Sequence, residues 1–261
     1  MNHLGLAARQ GRLELRQFFR SRAAVVFTMA FPVMMVVVFS AIFKAKVGAG
    51  VSFTQYCVTG IIASGLMTVG FQSLAIQLAG ERENGILKRF RGTPMPAWVF
   101  FAGKVLLVLT IAALETAILL AISTIFFDMH LPGSLHAWTT LAWVSLLGIT
   151  ACTLCGIAFS SLLRRARSAP ALVTPVALLL QFTSGVFYIF TELPSWMQQF
   201  AALFPLKWMC QGLRSVFLPA AFAKLEPGHS WELGRVALVL GAWCVIGLVL
   251  SVRTFRWTEQ D

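Results

Sequence analysis

Charge is scarce in this 261-residue chain. Only 12% of its residues are Asp, Glu, Lys or Arg, about half of the roughly 25% usual in a soluble domain. Acids are scarcer still, 10 against 21 Lys and Arg, which leaves a formal net charge of +11. With 58% hydrophobic residues and a mean hydropathy of +0.79, this composition excludes an ordinary soluble globule. Apolar residues come in blocks of about twenty or more, which predicts an all-α polytopic membrane protein. In a soluble protein a +11 balance would suggest nucleic acid. Here the basic residues gather at the ends of apolar runs, so topology accounts for them and no nucleic-acid partner is expected.

Other shortages exclude chemistry. The five cysteines, at positions 57, 152, 155, 210 and 244, do not make a disulfide framework. Cys152 and Cys155 form a C-x-x-C inside an apolar run without His or carboxylate beside it, so they read as small packing residues and no metal is expected. The spans contain no H-E-x-x-H, no Ser/His pairing and no paired carboxylates, so no catalytic residue is assigned. No G-x-x-x-x-G-K-[ST] loop is present to cradle phosphates; Gly103-Lys104 lacks the upstream glycine and the following hydroxyl residue. The basic amino terminus lacks a clear small-residue cleavage site before its first long apolar run, so no cleavable signal is expected.

What is present is a run of helices. Residues 1–22 read as an amphipathic interfacial helix, centred on 3–20. At about 100° per residue, Arg9, Arg12, Arg16 and Arg20 share a face beside Leu4, Ala8, Leu15, Phe18 and Phe19. Residues 23–261 read as one six-span domain, with spans at about 23–43, 56–79, 97–127, 137–163, 169–190 and 233–252. Pro32 should kink the first span. Gly148, Cys152, Gly156 and Ser160 recur every four residues in the fourth, a small-residue stripe that admits close helix approach. Residues 191–232 are semi-apolar, with Pro194, Pro205 and Pro219. They predict short helices, over about 191–220, that dip into the outer leaflet or cap the bundle.

Between the second and third spans lies Glu81-Arg82-Glu83-Asn84-Gly85-Ile86-Leu87-Lys88-Arg89-Phe90-Arg91-Gly92-Thr93-Pro94. Hydrocarbon could not carry this charge, so the stretch sits in water at the membrane surface. It predicts one short helix over about 81–92, with Glu81, Glu83 and Leu87 on one face and Lys88, Arg89 and Arg91 in the last turn. One reading is a solvated loop that fixes orientation. The other is a docking helix for a soluble partner, favoured by two glutamates that an orientation signal does not need. Fifteen Lys and Arg fall on this side (the amino terminus, the 81–104 region, Arg164–Arg167 and the tail) and six fall opposite: Lys44, Lys46, Lys207, Arg214, Lys224 and Arg235. Both termini are therefore expected in the cytoplasm of a multi-pass cell-membrane protein. Trp98 and Trp257 would mark the inner interface, and Trp138 and Trp231 the outer.

The order of these features, with Glu81-Arg82-Glu83-x-Gly85-x-Leu87, Thr93-Pro94, Gly103-Lys104, Leu193-Pro194-x-Trp196, Phe204-Pro205-Leu206 and Leu213-Arg214, resembles the type-2 ATP-binding-cassette (ABC) exporter permeases over essentially the whole chain. Ile86 stands where many relatives have Thr. The resemblance implies a half-transporter in which two copies, usually identical, form the pathway within membrane lipid. It implies a cytoplasmic coupling helix carrying Glu81, Arg82, Glu83, Gly85, Leu87, Arg89, Phe90 and Arg91, which docks a separate ABC ATPase subunit. ATP and Mg would bind that partner, with no cofactor in this chain. Compact size resembles the drug- and polysaccharide-export branches, and the expectation leans to drugs or other amphipathic small molecules over lipid or polysaccharide. Phe31, Phe39, Gln72 and Phe182, on the first, second and fifth spans, are the candidate pathway lining. Glu115, near the middle of the third span, is an intramembrane carboxylate and so a functional candidate. It would anchor the alternative of a proton-coupled secondary transporter. A structural role is the expectation for it here, either protonated or hydrogen-bonded against another helix, with Gln72 and Gln181 as candidate partners.

Overall fold

The computed structural model describes residues 3–43, 46–93, 96–127, 129–163 and 165–255. Lys44, Pro94, Arg164 and Trp257, and the side chain of Leu4, lie outside the described residues. Helix α1 (His3–Arg20) ends at Ser21, whose hydroxyl accepts from Ala24 N and caps α2 (Arg22–Ile42). A two-stranded antiparallel hairpin, β1 (Lys46–Gly48) and β2 (Val51–Ser52), turns the chain back. Ser52 then starts α3 (Phe53–Met67) through a reciprocal capping box with Gln55. A π-helical turn, Thr68–Ser73, joins α3 to α4 (Leu74–Glu83) without a break. Next come α5 (Ile86–Arg91), α6 (Ala97–Phe127), α7 (Leu135–Ser160) and α8 (Ala169–Thr183). The short α9 (Ser195–Ala202) and α10 (Pro205–Phe217) precede α11 (Leu233–Thr254).

Five segments of the described chain are long and apolar enough to cross a membrane: α2, the continuous Phe53–Glu83, α6, α7 and α11. The fifth expected span is shorter than its apolar run suggested. It stops at Thr183 after 15 residues, about 22 Å of helix against a hydrocarbon core of roughly 30 Å. Even so, α8 connects the two ends of the bundle. At its start, Ala166 N donates to the Glu83 carboxylate. Just past its end, Gly185 O accepts from Arg214.

The two ends differ in chemistry. At the first, α1, the end of α4, the start of α6, the end of α7 and the end of α11 converge; Phe101 and Phe255 meet edge to face at 5.0 Å. At the second, Tyr56 Oη accepts from Phe190 N at 2.9 Å and Gln211 donates to Trp231 O at 3.0 Å. The segment expected to cap the bundle lies partly inside it: α10 is buried from Pro205 to Arg214 and packs on α3, α7 and α11. Lys207 and Arg214 are therefore core residues rather than solvated loop charges. Lys207 Nζ sits 3.7 Å from the Trp208 ring centroid and donates to Gln211. Arg214 stacks on Tyr56 at 3.9 Å and pairs with Glu226 at 3.5 Å.

The small-residue stripe on α7 does what its spacing suggested. A Cβ at Gly156 would stand 2.7 Å from Gly70 O and 2.9 Å from Phe71 O, so only glycine lets α7 touch the backbone of the π turn. Gly148 and Cys152 meet Met209 of α10, and Ser160 meets Arg82.

Candidate functional site

The charged stretch is two helices, not one. The second span's helix runs on through Gly80 to Glu83 and stops at Asn84-Gly85, where φ of Gly85 is +69°. Glu81 and Glu83 thus end a helix, where the dipole disfavours negative charge, and other groups must compensate. For Glu81 the compensation is Lys104, which is fully buried and also bonds Glu14 Oε2 at 2.8 Å. Gln77 Nε2 reaches both carboxylates, at 3.1 Å to Glu14 and 2.9 Å to Glu81. Gln10 Nε2 holds the other Glu14 oxygen at 3.0 Å. Lys104, expected as a surface cation near the 81–94 loop, is instead the centre of a buried polar knot joining α1, α4 and α6.

Arg82 also faces inward. Its Nη1 donates to Ser160 O at 2.7 Å and Leu163 O at 3.3 Å, capping the end of α7. Leu87 is fully buried, and Phe90 packs on Phe100 at 5.1 Å. Of the eight residues expected on the docking helix, Glu81, Arg82 and Leu87 are thus anchors of the helix rather than its outer face. Glu83, Arg89 and Arg91 are exposed, together with Lys88. Glu14 escaped the sequence reading although it carried a signal: it is the sole acid among the first eighty residues. On α1 the arginines are exposed as expected, but the packed side holds Gly11, Glu14 and Phe18, while Ala8 and Phe19 face outward.

The second group of candidates lines a cavity of about 620 Å³ between α2, α3, the π turn, α6 and α8. Phe31, Phe39, Gln72, Phe182 and Glu115 all reach its wall. The π turn supplies Thr68, Gln72 and Ser73; such turns often mark functional sites, and nothing in the sequence announced this one. Two amide bonds tie the turn to α8: Gln72 Nε2 to Thr174 Oγ1 at 3.1 Å, and Gln181 Nε2 to Thr68 Oγ1 at 3.4 Å. Both amides are therefore committed elsewhere, and neither is the partner expected for Glu115. The Glu115 residue is 3% exposed, and its Oε2 has no hydrogen-bond partner among the described residues. It packs against Gly65, where an added Cβ would collide with Oε1. A second cavity, of about 390 Å³ between α7, α8 and α11, is lined by Phe159, Leu180 and Trp243 among others and by no charged side chain. The first cavity, apolar with a few convergent polar groups, has the character of a ligand site.

Helical spans, an inward-anchored charged segment and a polar-spotted cavity suit a transport subunit, and a family comparison decides the class. The model described as ABC-2 type transporter matches residues 11–218. The chain belongs to the ABC-2 type transporter family. The matched region runs from α1 through α10 and contains the Lys104 knot, α5 and every residue of the cavity wall named above. Among similar curated proteins, the inner membrane transport permease YadH of Escherichia coli K12 is 26% identical over 215 residues, 78% of this chain and 80% of YadH. The probable multidrug ABC transporter permease YbhR of the same strain is 24% identical over 198 residues, 73% of this chain and 51% of YbhR. An ABC-2 chain is a transmembrane transport subunit, not itself a catalyst. In this ABC-2 chain the conspicuous Glu-Arg-Glu motif binds its own helices together and leaves a basic outer surface on α5.

Proposed function

We propose that the chain is the permease subunit of an ABC exporter for drug-like amphipathic small molecules. Two copies face each other across the cavity, and each is driven by a separate ATPase that binds ATP and Mg. The observation that carries this reading is the cavity, whose wall combines aromatic residues of α2 and α8 with the Gln72 amide and the Thr68 and Ser73 hydroxyls of the π turn. Phe31 and Phe182 remain 48% and 45% exposed, as suits a half-pathway awaiting its second half. The name of YbhR supports small molecules over lipid or polysaccharide as cargo. Lys88, Arg89 and Arg91 of α5 form the docking surface for the ATPase. The test is ATP-driven efflux of an amphipathic dye by vesicles holding the permease with its ATPase. Phe39→Ala and Phe182→Ala are each expected to lower efflux at least fivefold at equal protein level. Unchanged efflux in both variants would remove the cavity from the pathway.

In this reading α8 and the backbone beyond it complete a sixth crossing, so α1 and the end of α11 share the cytoplasmic side with α5. Ser195 and Lys224 are exposed at the opposite end. Single cysteines at either position, in a background without the five native cysteines, are expected to react with an impermeant maleimide added outside intact cells. Labelling only after permeabilisation would reverse the orientation.

A further inference from the structure

We propose that Glu115 makes this cavity selective for amphipathic organic cations carrying one delocalised or quaternary positive charge, an inference that rests on the cavity being the transport pathway. The residue is 3% exposed, and one oxygen of its carboxylate has no partner among the described residues. A polar group left in that state is costly, more so for a charge in the middle of a span. Ionisable groups inside a span face the bundle interior or a water-filled cavity and mark substrate and ion pathways, and Glu115 lines the cavity wall. No Lys, Arg or His lines the cavity among the described residues. The nearest cation on the same helix is Lys104, eleven residues away, about 16 Å along the axis, and it is committed to Glu14 and Glu81. Lys207 and Arg214 are committed at the far end of the bundle. Among the described residues the fold thus supplies the carboxylate with no counter-ion of its own.

The rest of the wall matches a cation with an apolar body. Phe31, Phe39, Phe182 and Tyr188 line the cavity, and aromatic faces attract cations most strongly when water is excluded. Phe39 and Phe182 both pack on Phe187, at 5.5 and 5.3 Å, so the aromatic wall is held in place. Gly65 adds a constraint: with any larger residue there, the carboxylate would have to move. A neutral ligand would use the rings and amides and leave the carboxylate unanswered. An anion would meet like charge, with no basic side chain among the described lining residues to offset it.

The test compares tetraphenylphosphonium with the neutral triphenylphosphine oxide, using equilibrium binding to the permease–ATPase complex in nanodiscs of zwitterionic phospholipid. The wild type is expected to bind the cation at least tenfold more tightly. Glu115→Gln is expected to lower the cation-to-neutral affinity ratio at least tenfold, and Glu115→Asp, which keeps the charge, to restore it to within about threefold of wild type. Equal binding of both ligands by the wild type would overturn charge selection while leaving the pathway reading intact, and requires no variant to fold. An unchanged ratio in Glu115→Gln would also overturn it and leave Glu115 as a filler between α6 and Gly65. Binding of both ligands that is insensitive to Phe182→Ala would remove the cavity itself, and with it both the pathway reading and this one.

Discussion

Lys104→Met is expected to be the most damaging single substitution in the chain. The ammonium is fully buried and bonds carboxylates on two other helices, Glu14 on α1 and Glu81 on α4. Removing it leaves two negative charges close together with only the Gln77 and Gln10 amides to solvate them. Breaking a buried ion pair by deleting one partner typically costs about 3–5 kcal/mol, because the remaining charge is stranded. That is comparable to a large part of the total stability of many domains, so the folded yield should collapse. The measurement is monodisperse recovery from membranes and the midpoint of thermal aggregation. The same principle supplies a rescue. The triple variant Glu14→Gln, Glu81→Gln, Lys104→Met removes all three charges and keeps amides that bond one another and Gln77. It is expected to regain about half or more of the lost stability, since neutral replacement of a whole buried ion cluster is often tolerated. Wild-type behaviour of Lys104→Met alone would mean that the three groups do not carry charge in the folded protein.

The difference between what was legible in the sequence and what was not follows range of interaction. The stripe Gly148, Cys152, Gly156 and Ser160 lies on one helix and has a local period, so its close contacts could be read directly. Phe31, Phe39, Gln72 and Phe182 were singled out through the family resemblance, which implies a pathway lined by the first, second and fifth spans. Their meeting in one cavity follows from α2, the π turn and α8 standing side by side. The partners of Lys104 were not legible: Glu14 is ninety residues away, and only the packing of α1 on α6 brings them together. The π turn has no sequence signature, and it alone turns Thr68 and Gln72 toward α8. The helix over 81–92 was misjudged for a local reason. Charge density suggested a boundary at Glu81, whereas backbone conformation places it at Gly85, and four residues of shift turn Glu81 from an outer to an inner residue.

Under the proposed docking role of this segment, that shift moves the docking chemistry to α5, and with it the second large effect. With Glu81 and Arg82 turned inward, the outer surface at this end is cationic: Lys88, Arg89 and Arg91 on α5, itself pinned by buried Leu87 and by Phe90 on Phe100. Glu83 is exposed but accepts from Ala166 N, so it clips the loop after α7 to the end of α4. A rigid, short, basic helix presented on an apolar anchor suits an acidic cleft on the ATPase, and charge-assisted bonds across such an interface are the stronger kind. The double reversal Lys88→Glu, Arg89→Glu is therefore expected to leave the permease folded, because neither side chain is buried. Disrupting close charge pairs at an interface costs about 2–5 kcal/mol, roughly 30-fold to several thousand-fold in affinity. Recovery of the ATPase with tagged permease should fall at least tenfold, and more steeply at low salt, where the introduced repulsion is least screened. Lys224→Glu, at the opposite end of the bundle, should change recovery less than twofold. Glu83→Lys should act differently, releasing the 165–168 loop and weakening the link between α5 and α8 while the ATPase stays bound. The discriminating measurement is ATPase recovery against ATP-driven efflux in the same preparation: loss of both in the double reversal, loss of efflux alone in Glu83→Lys. Full ATPase recovery with the double reversal would move the docking surface off α5.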